Sequence, residues 1–335
     1  MKTVNVGVIG LAHFHGYSYA RAVTELPNAK IVAISDDDEE RGRKAAEQYS
    51  VEYYRDYNEL LRRGDVDAVI VTAENVKHAQ IVIAAAEAGK HILCEKPIAT
   101  TLQDADAMVK AADTAKVKFQ TAFPMRYHQA AAMIKGVIDR KEIGKVVAIT
   151  ATNHLKWLVY GWFIDPKLSG GGAVMDHTVH NADLMRWYTK SEAKTVYTEI
   201  GKNIHSEVNV EDNALTMVTF RNGAFGTIDG SWSRPASFYT WGDVTLEILG
   251  TEGFIQLDVF RQNVNVVEAD SPNNRLEWHY WGCDADMLMV KSFIECIEKD
   301  KKPLASGFDG RQATEITVAA YESARKGEPV SLPLH

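Results

Sequence analysis

The first 120 residues alternate short runs of β-branched residues with segments of helical periodicity. The runs are Val4 to Ile9, Ile31 to Ser35, Ala68 to Thr72, His91 to Cys94 and Lys118 to Thr121. The segments between them, including Lys77 to Ala88 and Leu102 to Ala115, have the length and apolar spacing of crossover helices. Strands that alternate with helices pair in parallel and are covered on both faces. The pattern therefore predicts an N-terminal doubly wound parallel sheet of the Rossmann type.

Beyond Phe123 the chain changes to longer strands with alternating polar and apolar residues. The expected strands are Val146 to His154, Thr195 to Ile200, Ala214 to Phe220, Gly226 to Ser231, Val244 to Leu249 and Phe254 to Val259. Turn signals such as Asn222-Gly223 stand between them, which favours an open, largely antiparallel or mixed sheet in an α+β domain. We expect a dinucleotide-binding domain at residues 1–122 and a substrate-binding domain at residues 123–335.

Charge and cysteine content limit the class of partner. The formal net charge is -8 and there is no basic block, which argues against nucleic acid and anionic membranes. Cys94, Cys283 and Cys296 have no metal-binding or redox spacing, and they fit free thiols in a reducing cytoplasm. The N-terminal apolar run is too short for a signal peptide or a membrane span.

The turn after the first predicted strand is where such a sheet binds a dinucleotide. Backbone N–H groups and the helix dipole favour a pyrophosphate there. The GxGxxG pattern is partly kept, with Gly10 in the first place, Ala12 in the second and His15 in the third. Because the third glycine normally allows close packing of helix on strand, His15 predicts an altered local geometry. His13 and His15 either contact phosphate or substrate, or only occupy the first helical turn.

The second predicted strand ends at Asp36, followed by Asp37 and Asp38. A carboxylate in this place hydrogen-bonds the ribose hydroxyls of an adenosine. Three consecutive acids would repel a 2'-phosphate, and no arginine is expected at the strand end to bind one. The sequence therefore predicts NAD rather than NADP. An N-cap role applies better to the second and third acids.

Two further stretches carry ionisable groups. Lys96 stands in Glu95-Lys96-Pro97 at the carboxyl end of a predicted strand, where open α/β sheets bind ligands. Three glycines at 170–172 lead into a helical pattern in which Asp176, His180 and Asp183 share one face. This face has the side chains of an acid/base site, although a capped helix with a solvated polar face would carry the same pattern.

These stretches together resemble the Gfo/Idh/MocA family of NAD(P)-dependent oxidoreductases, which includes glucose-fructose oxidoreductase and inositol 2-dehydrogenase. The resemblance covers nearly the whole chain, and its carriers are the segment Ala86 to Pro97, the glycine run with its helix, and the ending from Asp309-Gly310 to Leu334. It implies that Lys96 contacts substrate and nicotinamide, that Asp176 binds substrate and that His180 exchanges the substrate proton. It also implies a cis Lys96-Pro97 bond and self-association through the outer face of the second sheet. Ala12, His15 and the Ala73-Glu74 pair depart from the family pattern.

The candidate site residues form two sets. The residues expected to bind the cofactor are Gly10, Ala12, His13, Phe14, Asp36, Ala73, Asn75, His78, Glu95 and Lys96. The residues expected to bind the substrate are Arg126, Lys156, Trp162, Asp176, His177 and Asp183. Polar and aromatic side chains before the glycine run, suited to the hydroxyls and C–H faces of a sugar, are Asn153, His154, Lys156, Trp157, Tyr160, Trp162, Phe163 and Asp165.

The predicted function is reversible oxidation of a secondary alcohol of a sugar, polyol or cyclitol, with His180 as base, Lys96 stabilising charge on oxygen and Asp176 orienting the substrate. The alternatives are a redox-neutral lyase or glycosidase that recycles its NAD, and a non-catalytic regulator that binds NAD and sugar. We expect a cytoplasmic homodimer or homotetramer. No metal is expected, although His13, His15, Asp176, His177 and His180 are ligand types.

Overall fold

The computed structural model describes residues 3–156, 161–202, 204–267, 276–280 and 282–334. Its strands are β1 (Val4–Ile9), β2 (Ala29–Ser35), β3 (Glu52–Tyr54), β4 (Ala68–Val71), β5 (His91–Cys94), β6 (Phe119–Thr121), β7 (Val146–Lys156), β8 (Ala193–Gly201), β9 (Asn213–Phe220), β10 (Phe225–Arg234), β11 (Gly242–Gly250), β12 (Phe254–Asp258), β13 (Asn263–Val267), β14 (Leu276–Tyr280) and β15 (Val330–Ser331). Its α-helices are α1 (His15–Glu25), α2 (Glu39–Tyr49), α3 (Tyr57–Leu61), α4 (His78–Glu87), α5 (Leu102–Ala115), α6 (Gln129–Asp139), α7 (Pro166–Ser169), α8 (Ala173–Thr189), α9 (Ala285–Glu298) and α10 (Gly307–Lys326).

The chain forms two compact units, and each unit contains segments that are distant in sequence. The first unit comprises Met1–Tyr127, Lys167–Gly170 and Ala285–Thr314, and the second comprises His128–Pro166, Gly171–Asp284 and Glu315–His335. This division is less simple than one boundary between residues 122 and 123. Helix α9 belongs to the first unit because its apolar face, including Met289, Val290 and Phe293, is fully buried and packs against α1.

A six-stranded parallel sheet forms the first unit, in the order β3-β2-β1-β4-β5-β6. Its central strands are buried along their whole length, as β4 illustrates, because helices cover both faces. The predicted doubly wound sheet is confirmed. The sequence patterns missed β3, since its three residues include a glutamate and show no apolar run.

A seven-stranded sheet forms the second unit, in the order β12-β11-β7-β10-β9-β8-β15. All of its pairs are antiparallel except β7 with β10, so the predicted mixed sheet is also confirmed. Helix α8 packs against β7, β9 and β10 on one face of the sheet. The ladder of β13 and β14 was not predicted.

Candidate active site

Gly10 forms the turn after β1, as expected for a nucleotide-binding turn. Its φ is +76°, and a Cβ there would lie 2.6 Å from the Cα atom of Ala73. Only glycine suits the position, because the backbone is left-handed and the neighbouring chain leaves no room for a side chain. The turn at Gly10 therefore leaves a small space, called the cradle below, that a Cβ atom would fill. Ala73 forms one wall of it, and Ala12 is half-buried at the second place of the motif.

Gly16 supplies the close packing that the third glycine of the motif usually allows. A Cβ at Gly16 would lie 2.5 Å from Oγ1 of Thr72 and 2.9 Å from Cδ2 of Leu11. The expectation that His15 holds this place is therefore corrected by one residue. Helix α1 begins at His15, so its imidazole opens the helix and Gly16 faces the neighbouring strand.

Asp36 is the buried acceptor at the end of β2, with a side chain that is fully inaccessible to solvent. One carboxylate oxygen accepts from the backbone of Leu11 at 2.7 Å and the other from the backbone of Asp38 at 2.9 Å. The guanidinium of Arg41 bonds both oxygens, at 2.9 and 2.7 Å. An arginine thus stands at this strand end, contrary to the expectation, and it is engaged by the carboxylate. A carboxylate has about four acceptor positions, so Arg41 occupies those that ribose hydroxyls would use.

Glu95 is fully buried after β5 and lies at the centre of a cluster with two histidines and a tyrosine. Tyr19 donates its hydroxyl hydrogen to Oε2 of Glu95 at 2.6 Å. Nδ1 of His15 lies 3.4 Å from Oε1, and Nε2 of His13 lies 4.0 Å from the same oxygen. Glu95 therefore fixes the positions of Tyr19 and His15 next to the nucleotide-binding turn. A direct contact of its carboxylate with the cofactor, as expected from the sequence, would compete with these partners.

The electrostatics of this cluster favour an ionised carboxylate beside a protonated ring. Burial opposes ionisation of Glu95, but the neighbouring His13 and His15 outweigh it and hold the pKa of Glu95 well below its ordinary value. Burial likewise opposes charge on His15, but Glu95 and Asp286 outweigh burial and raise the pKa of His15 above 6.5. The ring of His15 therefore carries a proton more readily than an isolated imidazole.

His13, His15 and Glu95 also have the side-chain types of a metal site, with ligand atoms within 4.8 Å of one another. The hydrogen bonds, however, place hydrogens on the nitrogens that would bind a metal. Nδ1 of His13 accepts from the backbone N–H of His15 at 3.2 Å, so Nε2 of His13 carries a hydrogen. The arrangement fits a network of protons better than it fits a cation.

His78 and Asn75 support the backbone near β4 and β5. His78 is fully buried, with Nδ1 2.9 Å from the carbonyl of Pro97 and Nε2 3.0 Å from that of Ala73. Burial lowers the pKa of His78, although the two carbonyls act in the opposite direction. Asn75 donates to the carbonyl of Ser169 at 2.8 Å. These contacts give both residues positioning roles, and the expectation that they bind the cofactor directly stays a prediction.

Lys96 is 5% exposed and follows directly after Glu95 at the carboxyl edge of the first sheet. Its peptide bond to Pro97 is cis, as the family resemblance implied. His78 lies within hydrogen-bond distance of the carbonyl of Pro97, and the backbone N–H of Glu95 donates to the carbonyl of Val71, so the backbone is anchored on both sides of the lysine. Phe14, in contrast, is 62% exposed at the N-cap of α1, and because its ring has no hydrogen-bond donor, a phosphate contact would use its backbone N–H.

Helix α8 carries the predicted acid/base face in the second unit. Asp176 and His180 are partly exposed, whereas Asp183 is 1% exposed. His177 is also buried, and its Nε2 lies 3.6 Å from a carboxylate oxygen of Asp176. Nearly all other residues of α8 are buried too, so the alternative of a solvated polar face is wrong. Burying acids and imidazoles is unfavourable, and this cost is consistent with a functional role for them.

The glycine run lets α8 begin in a crowded place. A Cβ at Gly172 would lie 2.0 Å from the carbonyl oxygen of Glu211, and one at Gly171 would lie 1.9 Å from the hydroxyl of Tyr321. Oε1 of Glu211 accepts from the backbone of Gly172 at 2.8 Å, from that of Val174 at 3.1 Å and from Tyr321 at 2.6 Å. Glu211 therefore caps α8. Sequence reasoning missed it because it lies 39 residues from the helix that it caps.

The expected substrate wall is only partly supported. Arg126 is 4% exposed, and its guanidinium bonds the carbonyl of Leu304 at 2.6 Å and Asp309 at 3.0 Å. The guanidinium of Arg126 is therefore engaged by groups of the protein itself, and this geometry argues against a contact with substrate. Nζ of Lys156 donates to the carbonyl of Phe238 at 3.2 Å. Trp162 stacks on Phe163 with ring centroids 4.0 Å apart. The positions of Trp157 and Tyr160 lie outside the described residues.

Lys96 belongs to the first unit, whereas Asp176 and His180 belong to the second. Their meeting around one substrate therefore stays a prediction. Within the second unit, both ring nitrogens of His154 are engaged by aspartates. Nδ1 lies 2.7 Å from Asp243 and Nε2 lies 3.1 Å from Asp229, which argues against a contact of His154 with substrate.

Comparison with protein families identifies both halves of the chain. Residues 4–123 match the model described as the oxidoreductase family with an NAD-binding Rossmann fold, and residues 131–256 match the GFO/IDH/MocA C-terminal domain. The chain belongs to the Gfo/Idh/MocA family. As in the prediction, this family membership makes it an NAD-dependent oxidoreductase.

Relatives within the Gfo/Idh/MocA family match over almost their whole length. The myo-inositol 2-dehydrogenase of Thermotoga maritima is 30% identical, and the match covers 98% of each chain. The scyllo-inositol 2-dehydrogenase (NAD(+)) of Bacillus subtilis is 30% identical over 98% of this chain and 96% of its own. A solved structure of levoglucosan dehydrogenase with NADH and levoglucosan has a TM-score of 0.87 at 26% identity, covering 99% of this chain and 100% of that one.

The turn geometry of this Gfo/Idh/MocA protein fits its cofactor. The cradle at Gly10, the tight packing at Gly16 and a carboxylate at the end of β2 are the parts that a Rossmann domain uses for NAD. Ribose hydroxyls would have to replace Arg41 on the carboxylate of Asp36. Among the helices in the described part of the chain, none has the length and hydropathy of a membrane span.

Proposed function

We propose that the protein reversibly oxidises a secondary alcohol of a sugar, polyol or cyclitol with NAD. The observation that carries the proposal is the ionisable face of α8, where Asp176 and His180 lie on a helix that is otherwise buried. The relatives named as inositol and levoglucosan dehydrogenases support the substrate class. Lys96, beside the buried Glu95, supports a reacting centre at the carboxyl edge of the first sheet.

In this mechanism NAD supplies the hydride acceptor, and the chain's own residues manage the proton and the charge. His180 takes the hydroxyl proton as a general base. Lys96 stabilises the negative charge that develops on the alcohol oxygen. Asp176, one helical turn from His180, orients the substrate hydroxyls and the base.

A screen with purified protein tests the proposal. Sugars, polyols, cyclitols and their keto forms are incubated with NAD or NADH, and NADH is followed by its absorbance. With the best substrate, His180→Ala should lower turnover about a hundredfold to ten-thousandfold while NADH binding stays within twofold of the wild type. His91→Gln, at the opposite end of β5 from Glu95, is the control and should retain full turnover.

Two results would contradict the proposal. Near-normal turnover of His180→Ala would remove the base, and product release without net NADH formation would indicate a redox-neutral lyase or glycosidase. NADH binding without conversion of any compound in the screen would favour a regulator.

We further propose a cytoplasmic homo-oligomer that associates through the second sheet. The face of this sheet opposite α8 exposes large apolar side chains at register-matched positions, namely Leu215, Met217, Phe225, Leu249 and Phe254. Exposed apolar groups of this kind favour a protein partner. Free Cys94, Cys283 and Cys296 are consistent with a reducing compartment. Sedimentation velocity tests the association, and a monomer at micromolar concentration would contradict it.

A further inference from the structure

His15 extends from the nucleotide-binding turn across the first sheet toward β5. It opens α1, yet Nδ1 reaches Oε1 of Glu95, which follows β5. Strand β4 lies between β1 and β5, so the side chain crosses the end of β4. The His15 side chain is 23% exposed, whereas that of Glu95 is fully buried. The ring therefore stands between a buried carboxylate and the open edge of the sheet.

The hydrogen bonds determine which nitrogen of His15 faces outward. A carboxylate only accepts hydrogen bonds, and the hydroxyl of Tyr19 uses its hydrogen on Oε2 of Glu95. Nδ1 of His15 lies 3.3 Å from that hydroxyl oxygen and 3.4 Å from Oε1, so Nδ1 carries the hydrogen. Nε2 lies on the opposite edge of the ring, and within the described residues no hydrogen bond is made to it. A carboxylate that fixes one ring nitrogen and presents the other is a known way of orienting a functional histidine.

The groups around His15 favour its charged form. Glu95 and Asp286 of α9 attract a positive ring, whereas Lys96 repels it and the His13 ring lies alongside with centroids 4.4 Å apart. Ser18 holds Asp286 in place with a hydrogen bond of 2.6 Å. The balance raises the pKa of His15 above that of an isolated imidazole, despite burial.

We propose that His15, held by Glu95, donates a charged hydrogen bond from Nε2 to the dinucleotide phosphate that lies farther from the adenosine. Asp36 marks the adenosine side at the end of β2, and β1 separates it from β4 and β5. His15 extends in the opposite direction from the same turn. A cation there offsets the negative charge that Asp36, Asp37 and Asp38 place on the other side. The inference rests on NAD as the cofactor and is independent of the substrate.

Binding of three ligands of increasing size tests the assignment. The probes are AMP, ADP-ribose, which adds the second phosphate and ribose, and NADH, which adds the nicotinamide. His15→Gln should weaken ADP-ribose and NADH alike, by about tenfold or more, because the neutral amide carries no charge to pair with the phosphate. AMP should bind within twofold of the wild type. His91→Gln is the matched control and should bind all three ligands normally.

The pH dependence of NADH binding is the second readout. In the wild type, affinity should fall as the pH rises through the pKa of His15, which lies above 6.5, because the ring then loses its charge. His15→Gln should remove this dependence, and Glu95→Gln should move it to lower pH. If the buried Glu95 variant does not fold, the partly exposed His15 variant still shows whether the charge on His15 causes the pH dependence.

Three results would overturn the proposal. Wild-type affinity of His15→Gln for ADP-ribose would exclude a charged contact with the phosphate, even if NADH were weakened. An unchanged pH profile in that variant would exclude the charge. Stoichiometric zinc in the purified wild type that is lost in His15→Gln would make the cluster a metal site instead.

Discussion

At the scale of single residues, Gly16 lies so close to neighbouring side chains that a larger residue would not fit, although its helical backbone would accept one. A Cβ there would meet the hydroxyl of Thr72, which is itself fixed by a hydrogen bond to the carbonyl of Gly10. Gly16→Ala should therefore lower the free energy of unfolding by about 1–2 kcal/mol, because overpacking outweighs the gain in helix propensity. Urea unfolding measures this change. Gly64→Ala, with no atom within 4 Å, is the control and should be neutral or slightly stabilising.

Arg41 gives a second prediction, which concerns cofactor preference. Arg41→Ala leaves acceptor positions on Asp36 open to ribose hydroxyls and removes a cation that pairs with Asp36 and Asp37. We expect NADH to bind more tightly relative to NADPH by about tenfold, as measured by fluorescence titration. Arg43→Ala is the control, because Arg43 bonds the exposed Glu39 of the same helix. A gain in NADPH affinity in the Arg41 variant would contradict this reasoning.

Sequence patterns identify candidate residues, but they do not show which of these side chains already bond to other groups of the protein. Strand ends and helical spacing identify Asp36, Lys96 and the α8 residues as candidates, and their roles stay predictions. Arg126 was misplaced because its partners Leu304 and Asp309 are about 180 residues away. Gly16 was overlooked because a motif counted from Gly10 places the third glycine one residue earlier.

At the scale of elements, α8 depends on its cap at Glu211. One carboxylate oxygen accepts two backbone N–H groups of the first turn and the hydroxyl of Tyr321. Glu211→Ala should lower the free energy of unfolding by about 2 kcal/mol, and Glu211→Gln should cost less because an acceptor oxygen remains. Thermal unfolding checks the order of the two variants. Glu142→Ala, which breaks a surface ion pair with Arg140, should change stability little.

His154 links three neighbouring strands through its two aspartates. Burial opposes its charge, but Asp229 on β10 and Asp243 on β11 raise the pKa of His154 to about 9. Since this is above the unfolded value of 6.5, the stabilisation is complete below pH 6.5 and is lost as the pH rises through 9.

His154→Gln should therefore cost roughly 2 kcal/mol at pH 6, after allowance for the half-exposed Asp229. The difference from the wild type should shrink by pH 9.5. Urea unfolding at several pH values measures it, and a difference that stays constant with pH would exclude the ion pair as the cause.

Elements were predictable where burial leaves a regular pattern. The β-branched runs of β1, β4 and β5 stand out because both faces of a parallel sheet are covered. Strand β3 has no such run, since it lies at the sheet edge and contains only Glu52, Tyr53 and Tyr54. Helical periodicity alone does not show which of the two units the apolar face of α9 packs against.

At the scale of the whole molecule, the first unit needs a segment from near the C-terminus. Residues 285–314 bring α9, whose buried apolar side chains pack on α1, and Asp286 and Glu298 bond Ser18 and Asn28. A fragment of residues 1–122 should therefore be aggregated or unfolded, because several fully buried side chains would be lost at about 1.5–3 kcal/mol each. Residues 1–127 joined to 285–314 by a flexible linker should be soluble and cooperative in thermal unfolding by circular dichroism. Equal stability of the two fragments would contradict this prediction.

The contact between Tyr321 and Glu211 connects α10 to the start of α8, the helix that carries the proposed acid/base residues. Tyr321 lies 14 residues from the C-terminus, yet it shares one oxygen atom with the first turn of α8. Changes in the tail of the chain can therefore tilt or loosen the helix that bears Asp176 and His180. If the proposed function holds, variants at residues 315–334 that disturb this contact should change substrate selectivity without touching Asp176 or His180.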